Sequence, residues 1–182
     1  MPNRLVEKQV IYAGKKVRLE LHHLEEEETA KRHTREVCVH PGAVVVLPFL
    51  DAAGTRVLLI RNRRYAVGQT LLELPAGTLD AKENPMNCAG RELLEETGYV
   101  AGRVKLLGSF YTSPGILSEK MFAFAAYDLE QSRQALEEGE EIELAPHGLD
   151  EAIEMIRDGQ IVDGKTIATL LLYNQFFREA RK

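Results

Sequence analysis

The chain has 182 residues, 20.4 kDa, with 45% hydrophobic and 28% charged residues. That mixture belongs to one globular domain with room for a small appendage, and excludes disordered and fibrous classes. Twenty-three basic against 28 acidic residues leave a net charge of −5 and a pI near 5.6, which argues against nucleic acid as the main partner. The longest apolar stretch, Ala43 to Leu50, falls far short of a membrane span and is broken by Pro48. The N-terminal residues Met1 to Lys8 lack the apolar core of a signal peptide, and Cys38 and Cys88 alone make no disulfide scaffold. The expected setting is cytoplasmic, and the expected partner is small.

In chain order, Val10-Ile11-Tyr12 and Val17 to Leu21 flank Ala13-Gly14-Lys15-Lys16 and predict a hairpin over residues 9 to 24. Glu25 to Glu28 then read as a solvated loop, because like charges repel and stay in water. Val37 to His40, Ala43 to Leu50 and Arg56 to Arg61 follow as strands. Val44 to Leu47 is apolar on both faces, which predicts a central, buried strand.

Pro85 to Thr97 predicts a helix, with Asn84 as N-cap, Pro85 in the first turn and Gly98 as a left-handed stop. Two more strands are expected over Arg103 to Thr112 and Lys120 to Asp128. Two tail helices follow. Leu149, Ile153 and Ile156 repeat at helical spacing in the first, and Ile167, Leu170, Leu171 and Asn174 line a face of the second. The expected class is α+β, helices packed on a mixed sheet.

The chemistry concentrates in Arg91 to Thr97. On a helix, Glu92 lies three and four residues before Glu95 and Glu96, so three carboxylates crowd one side. Such a face is ordinarily a solvated surface, and Arg91 can pair with Glu95. Two features favour a metal instead. Hard oxygen ligands on a rigid element suit Mg²⁺ or Mn²⁺, and Leu74-Pro75-Ala76-Gly77 brings backbone carbonyls off a strand beside that helix.

Starting at Gly77 and running through Glu83, Arg91-Glu92, Glu95-Glu96 and Gly98-Tyr99, the spacing matches the Nudix hydrolase signature without a departure. A chance match of this kind is roughly one in a million. The resemblance implies a Nudix fold, a mixed β-sheet sandwiched between α-helices with an N-terminal β extension. It implies metal ligands at Glu92, Glu95, Glu96 and the carbonyl of Ala76, with Gly77, Glu83 and Arg91 in supporting roles.

Further features resemble the ADP-ribose pyrophosphatase and nucleoside diphosphate sugar hydrolase branch. Ser113-Pro114-Gly115 lies where that branch carries a marker, Pro114 being sixteen residues after Gly98, although on its own it is an ordinary turn. Leu72 to Gly77, with Glu73, is similar to that branch as well. Arg61-Asn62-Arg63-Arg64-Tyr65 resembles its substrate-binding stretch, with Asn62 and Arg63 departing from the usual pair, so only Arg64 carries over. The acidic loop Glu137 to Glu143 resembles one that supplies a catalytic glutamate, with Glu138 or Glu140 matching and the register open by a residue or two. Gly159 to Thr166 opens the last helix as in ADP-ribose and GDP-mannose hydrolases alike.

The resemblance thus implies Mg²⁺-dependent hydrolysis of a nucleoside diphosphate sugar, ADP-ribose to AMP and ribose 5-phosphate first. GDP-mannose or a broad range of nucleotide sugars is the alternative, and a non-catalytic ADP-ribose sensor is a remoter one. Catalytic roles are expected at Glu138 or Glu140 and at Glu95, and substrate contacts at Arg64, Glu73, Ser113 and Pro114. The expected organisation is an extension over 1–40, exchanged in a homodimer, and a catalytic domain over 41–182. An isolated hairpin is marginal in water and needs somewhere to pack.

Overall fold

The computed structural model describes residues 3–14, 17–136 and 138–178, so Lys15 and Lys16 of the expected first turn, Glu137 of the acidic loop, and Met1 and Pro2 lie outside it. The strands are β1 (Asn3–Ala13), β2 (Arg18–Glu26), β3 (Arg32–Val39), β4 (Ala43–Pro48), β5 (Arg56–Arg64), β6 (Gln69–Glu73) and β7 (Ala76–Thr78). After them come α1 (Pro85–Thr97), β8 (Tyr99–Tyr111), β9 (Lys120–Gln131), β10 (Ile142–Gly148), α2 (Leu149–Arg157) and α3 (Gly164–Phe176). The chain divides into two compact units.

The smaller unit comprises the residues up to Gly42 together with Tyr111–Lys120. Its β1, β2 and β3 form an antiparallel sheet in that order, so the expected hairpin gains a third strand. The glutamate run is not the loop expected: Glu25 and Glu26 end β2, and only Glu27 to Thr29 turn. Glu25 accepts hydrogen bonds from Arg4 Nη2 and Arg32 Nε, each at 3.0 Å. Opposite charge on both neighbouring strands lets an acidic residue extend a strand that repulsion alone would end. β1 is exposed along its length, with Leu5, Val6, Val10, Ile11 and Tyr12 open to solvent.

The larger unit holds two sheets, in orders β7-β4-β9-β8 and β10-β5-β6. β4 runs parallel to β9 and antiparallel to β7, which makes the first sheet mixed. Val44 and Val46 pack with Cys88, Ala89 and Leu93 of α1, whereas Val45 and Leu47 join the core that includes Leu149 and Leu170. The two-sided apolar run therefore does become the strand between layers, and the architecture is the α+β sandwich expected from the sequence.

α1 starts and stops where its caps dictate. Asn84 Oδ1 accepts from the Met86 N–H at 2.9 Å, and Gly98 sits at φ 72° with its N–H on Leu94 O. α3 buries a different stripe from the one expected: Thr166, Thr169, Leu170 and Tyr173 face inward, while Leu171 is exposed. The threonines tolerate burial because their hydroxyls are spent, Thr169 Oγ1 donating to Lys165 O at 2.8 Å. The strand expected ahead of Leu74 is β6, whereas β7 and β10 were not expected. β10 is an edge strand, where the missing N–H of Pro146 breaks no ladder. Among the described residues no helix is long and apolar enough to cross a membrane.

Candidate active site

β7 lies against β4 and touches α1, so the backbone of Ala76 and Gly77 passes beside the carboxylates of the helix. The Ala76 N–H donates to Glu96 Oε2 at 2.9 Å. A Cβ placed on Gly77 would land on the Glu92 carboxyl group, so only glycine leaves that carboxylate where it is.

Arg91 gathers the acids around it. Its Nε and Nη2 donate to Glu83 Oε1 and Oε2, each at 3.0 Å, forming a fork that fixes the guanidinium. Its Nη1 donates to Glu92 Oε1 at 2.8 Å and to Glu95 Oε2 at 2.9 Å. Beside that guanidinium the Glu83 carboxyl is held down to about 2. Glu83 thus acts as the anchor of Arg91, and Arg91 as the organiser of two helix carboxylates.

Glu92 and Glu96 differ from Glu83. Burial, reinforced by neighbouring carboxylates, pushes Glu92 up to about 7 and Glu96 up to about 8, despite the pull of Arg91 on the first and the Ala76 N–H on the second. Glu96 is only 3% exposed. Among the described residues no three acidic, histidine or cysteine side chains already converge as a finished metal cage. The donor set itself suits a hard divalent cation: carboxylate oxygens on a rigid helix, with negative charge that the surrounding protein under-compensates.

The acidic loop separates into three different environments. The charge of Glu140 contributes to raising both Glu92 and Glu96, and its residue is half-buried. Glu138 is exposed, and Gly139 beside it has φ 88° with open space around it. Glu141 accepts from the Tyr65 hydroxyl at 2.9 Å, and its carbonyl accepts from the Arg63 N–H.

Arg64 and Glu73 meet as a bidentate pair, Nε to Oε1 at 2.9 Å and Nη2 to Oε2 at 2.6 Å. Two residues of α3, which the sequence marked only as the opening of a helix, complete this corner. Lys165 Nζ donates to Glu73 Oε2 at 2.6 Å, and Thr166 Oγ1 accepts from the Leu74 N–H at 2.8 Å. With Val46 N–H on Pro75 O and Ala76 N–H on Glu96, every residue from Glu73 to Ala76 is tied down. Ser113 and Pro114 belong to the smaller unit, where Ser113 O accepts from the N–H groups of Ile116 and Leu117 in a tight turn.

A model of the NUDIX domain matches residues 39–170, spanning both the signature from Gly77 to Tyr99 and the segment Glu73 to Ala76. The chain belongs to the Nudix family. It is 33% identical over 168 residues to an ADP-ribose pyrophosphatase of Bacillus subtilis, covering 91% of this chain and 89% of that one. It is 40% identical over 148 residues to a GDP-mannose pyrophosphatase of Pectobacterium atrosepticum, covering 76% of each. A crystal structure of an ADP compounds hydrolase superposes with a TM-score of 0.84 at 22% identity, over 96% of this chain and 94% of that one, and shares the Nudix fold. The protein is therefore a Nudix pyrophosphohydrolase, of a family whose hydrolases generally use divalent metals.

Proposed function

We propose that the protein hydrolyses the diphosphate bond of a nucleoside diphosphate sugar, with ADP-ribose as its first substrate and AMP and ribose 5-phosphate as products. The observation that carries this reading is the pair of buried Glu96 and half-buried Glu92, under-neutralised within the fold and flanked by the charge of Glu140. Glu92, Glu95, Glu96 and the Ala76 carbonyl would hold Mg²⁺, with Mn²⁺ as a substitute. Bound there, such a cation would supply positive charge to offset that of the diphosphate and Lewis acidity toward water.

The chain's own groups account for the rest. Arg91 keeps Glu92 and Glu95 turned to one side. Arg64, fixed by Glu73 through two of its five N–H groups, has three left for a phosphate or ribose oxygen. Glu140 takes the proton of the attacking water as one P–O bond of the diphosphate breaks and the new one forms. Glu138 has no comparable electrostatic tie to the cluster, and the Glu141 carboxylate is engaged by Tyr65. A GDP-mannose or broad nucleotide sugar hydrolase is the second reading, favoured by the 40% identity to a GDP-mannose pyrophosphatase.

The direct test incubates the purified protein with Mg²⁺ and a panel of nucleotide sugars and measures phosphatase-sensitive products. ADP-ribose is expected to turn over fastest; GDP-mannose ahead of it selects the second reading, and no turnover of any member defeats both. Glu140→Gln should lower kcat by about 10²–10⁴, the usual worth of a positioned base. Glu138→Gln and Glu141→Gln should stay within a few-fold of the parent.

The exposed apolar strand β1 supports a homodimer in which the N-terminal sheet packs against the partner and helps complete its pocket. Sedimentation should show a dimer at micromolar concentration. A monomer whose activity survives deletion of residues 1–35 would contradict it.

A further inference from the structure

Glu73 ends β6 with no exposed surface, and a carboxylate at that depth requires compensation. It receives two cations. Arg64 grips it with Nε and Nη2, and Lys165 donates to the same Oε2 that accepts from Nη2, each at 2.6 Å. Lys165 in turn donates to Asp163 Oδ1 at 2.8 Å. Asp163 is itself fixed, because its Oδ2 caps α3 by accepting from Thr166 N at 3.0 Å and Thr166 Oγ1 at 2.6 Å.

The four charges, two acids and two bases, balance inside the network. Lys165 is not a substrate ligand by this geometry: its side chain is 14% exposed and its ammonium is shared between two acids. Arg64 is the member that reaches outward, with a side chain 37% exposed and three N–H groups unspent on Glu73. Its charge and that of Glu96 also act on each other.

We propose that Lys165 is a positioning residue: by pinning Oε2 of Glu73 to the N-terminus of α3, it fixes the fork that aims Arg64 at the substrate diphosphate. A carboxylate held from one side only can swing about its terminal torsion and carry the arginine with it. Held from both sides, it presents the guanidinium in one orientation, which is how a rigid supporting contact lowers the cost of substrate binding. The inference rests on the proposed function in one respect, that Arg64 meets a nucleotide sugar.

A double-mutant cycle tests it on whichever nucleotide sugar the parent hydrolyses. Lys165→Met should raise KM about tenfold while kcat stays within a few-fold, the pattern of lost substrate binding. In an Arg64→Lys background the same change should raise KM less than about twofold, because both act through one contact. KM effects that multiply, or a shift in thermal midpoint alone, would overturn the proposal. Asp163→Asn keeps the cap but weakens the anchor of Lys165, and should raise KM in the same direction by a smaller factor. Should Lys165→Met not fold, an unchanged KM in Asp163→Asn overturns the proposal by itself.

A second readout needs no substrate. NMR should show the Arg64 Nε proton exchanging slowly with solvent in the parent and faster in Lys165→Met or Asp163→Asn. Unchanged exchange refutes the positioning role even if the parent turns over no nucleotide sugar, a result that would count against the functional reading alone.

Discussion

Glu73 at the end of β6 and Glu96 near the end of α1 are the same residue at nearly the same depth, 0% and 3% exposed. Their company differs. Glu73 accepts from Arg64 and Lys165, two cations supplied by β5 and α3. Glu96 accepts from the Ala76 N–H and lies near the like charges of Glu92 and Glu140, with Arg64 as a weaker opposite influence. Burial therefore pushes Glu96 up to about 8. One carboxylate has its counter-charge built into the fold. The other has no such counter-charge in contact among the described residues, and on that contrast rests the proposal that Glu73 supports the site while Glu96 would hold a cation.

The contrast is broken most severely by neutralising each acid in turn. Changing a group one step removed from a metal typically lowers affinity or activity by about 10–100-fold. Glu96→Gln, which would remove a direct ligand, is expected to exceed that while leaving chelated protein as stable as the parent or more so. Glu73→Gln should instead destabilise by about 1–3 kcal/mol, because Arg64 loses its carboxylate and Lys165 keeps only Asp163. Denaturant titration beside steady-state rates reads both. Equal stability losses in the two variants would erase the distinction.

A smaller effect comes from pH. In chelated protein Glu96 and Glu92 titrate near 8 and 7, both above their ordinary 4.5. Between pH 4.5 and 8 the folded chain holds protons that the unfolded chain has released, so stability falls as pH rises through that window. Glu83, held down to about 2, works oppositely: its stabilisation is present above 4.5 and is lost as pH falls toward 2. The thermal midpoint in chelator is expected to decline from pH 5 to pH 8, and Glu96→Gln should flatten that decline. A midpoint that rises over the same range would remove the case for uncompensated acids.

The helix half of this contrast was legible in the sequence and the charge network around Glu73 was not. α1 carries its own punctuation in Asn84, Pro85 and Gly98, and Glu92, Glu95 and Glu96 are brought to one side by helical periodicity alone. β4 announced its two-sided burial through an unbroken apolar run. The charge network depends instead on Lys165 and Thr166 reaching Glu73 and Leu74, 92 positions earlier, and no local period encodes such a meeting. β7 has three residues and β10 contains a proline, so both exist through pairing with β4 and β5 rather than through propensity. The stripe on α3 was misjudged for a related reason: Thr166 and Thr169 look polar until their hydroxyls find partners.

The finest test separates Glu92 from Glu96 by adding one methyl group. In Gly77→Ala the new Cβ would fall on the Glu92 carboxyl, the far end of a flexible side chain, so the carboxylate must swing aside while the backbone of β7 can stay. The swing breaks its bond from Arg91 Nη1 at 2.8 Å and leaves the bond between Ala76 N–H and Glu96 in place. Alanine also restricts the unfolded chain, a gain of about 0.4–1 kcal/mol that offsets part of the disturbance. Stability should therefore change little. If Glu92 is a ligand, however, the Mg²⁺ concentration for half-maximal rate should rise about tenfold, the lower end of the range for a disturbed metal shell. A Mg²⁺ titration of the rate, read beside the thermal midpoint, decides the matter. An unchanged requirement would mean that Glu92 contributes no ligand that its displacement disturbs, and the acid awaiting a counter-charge would be Glu96 with its loop neighbour Glu140.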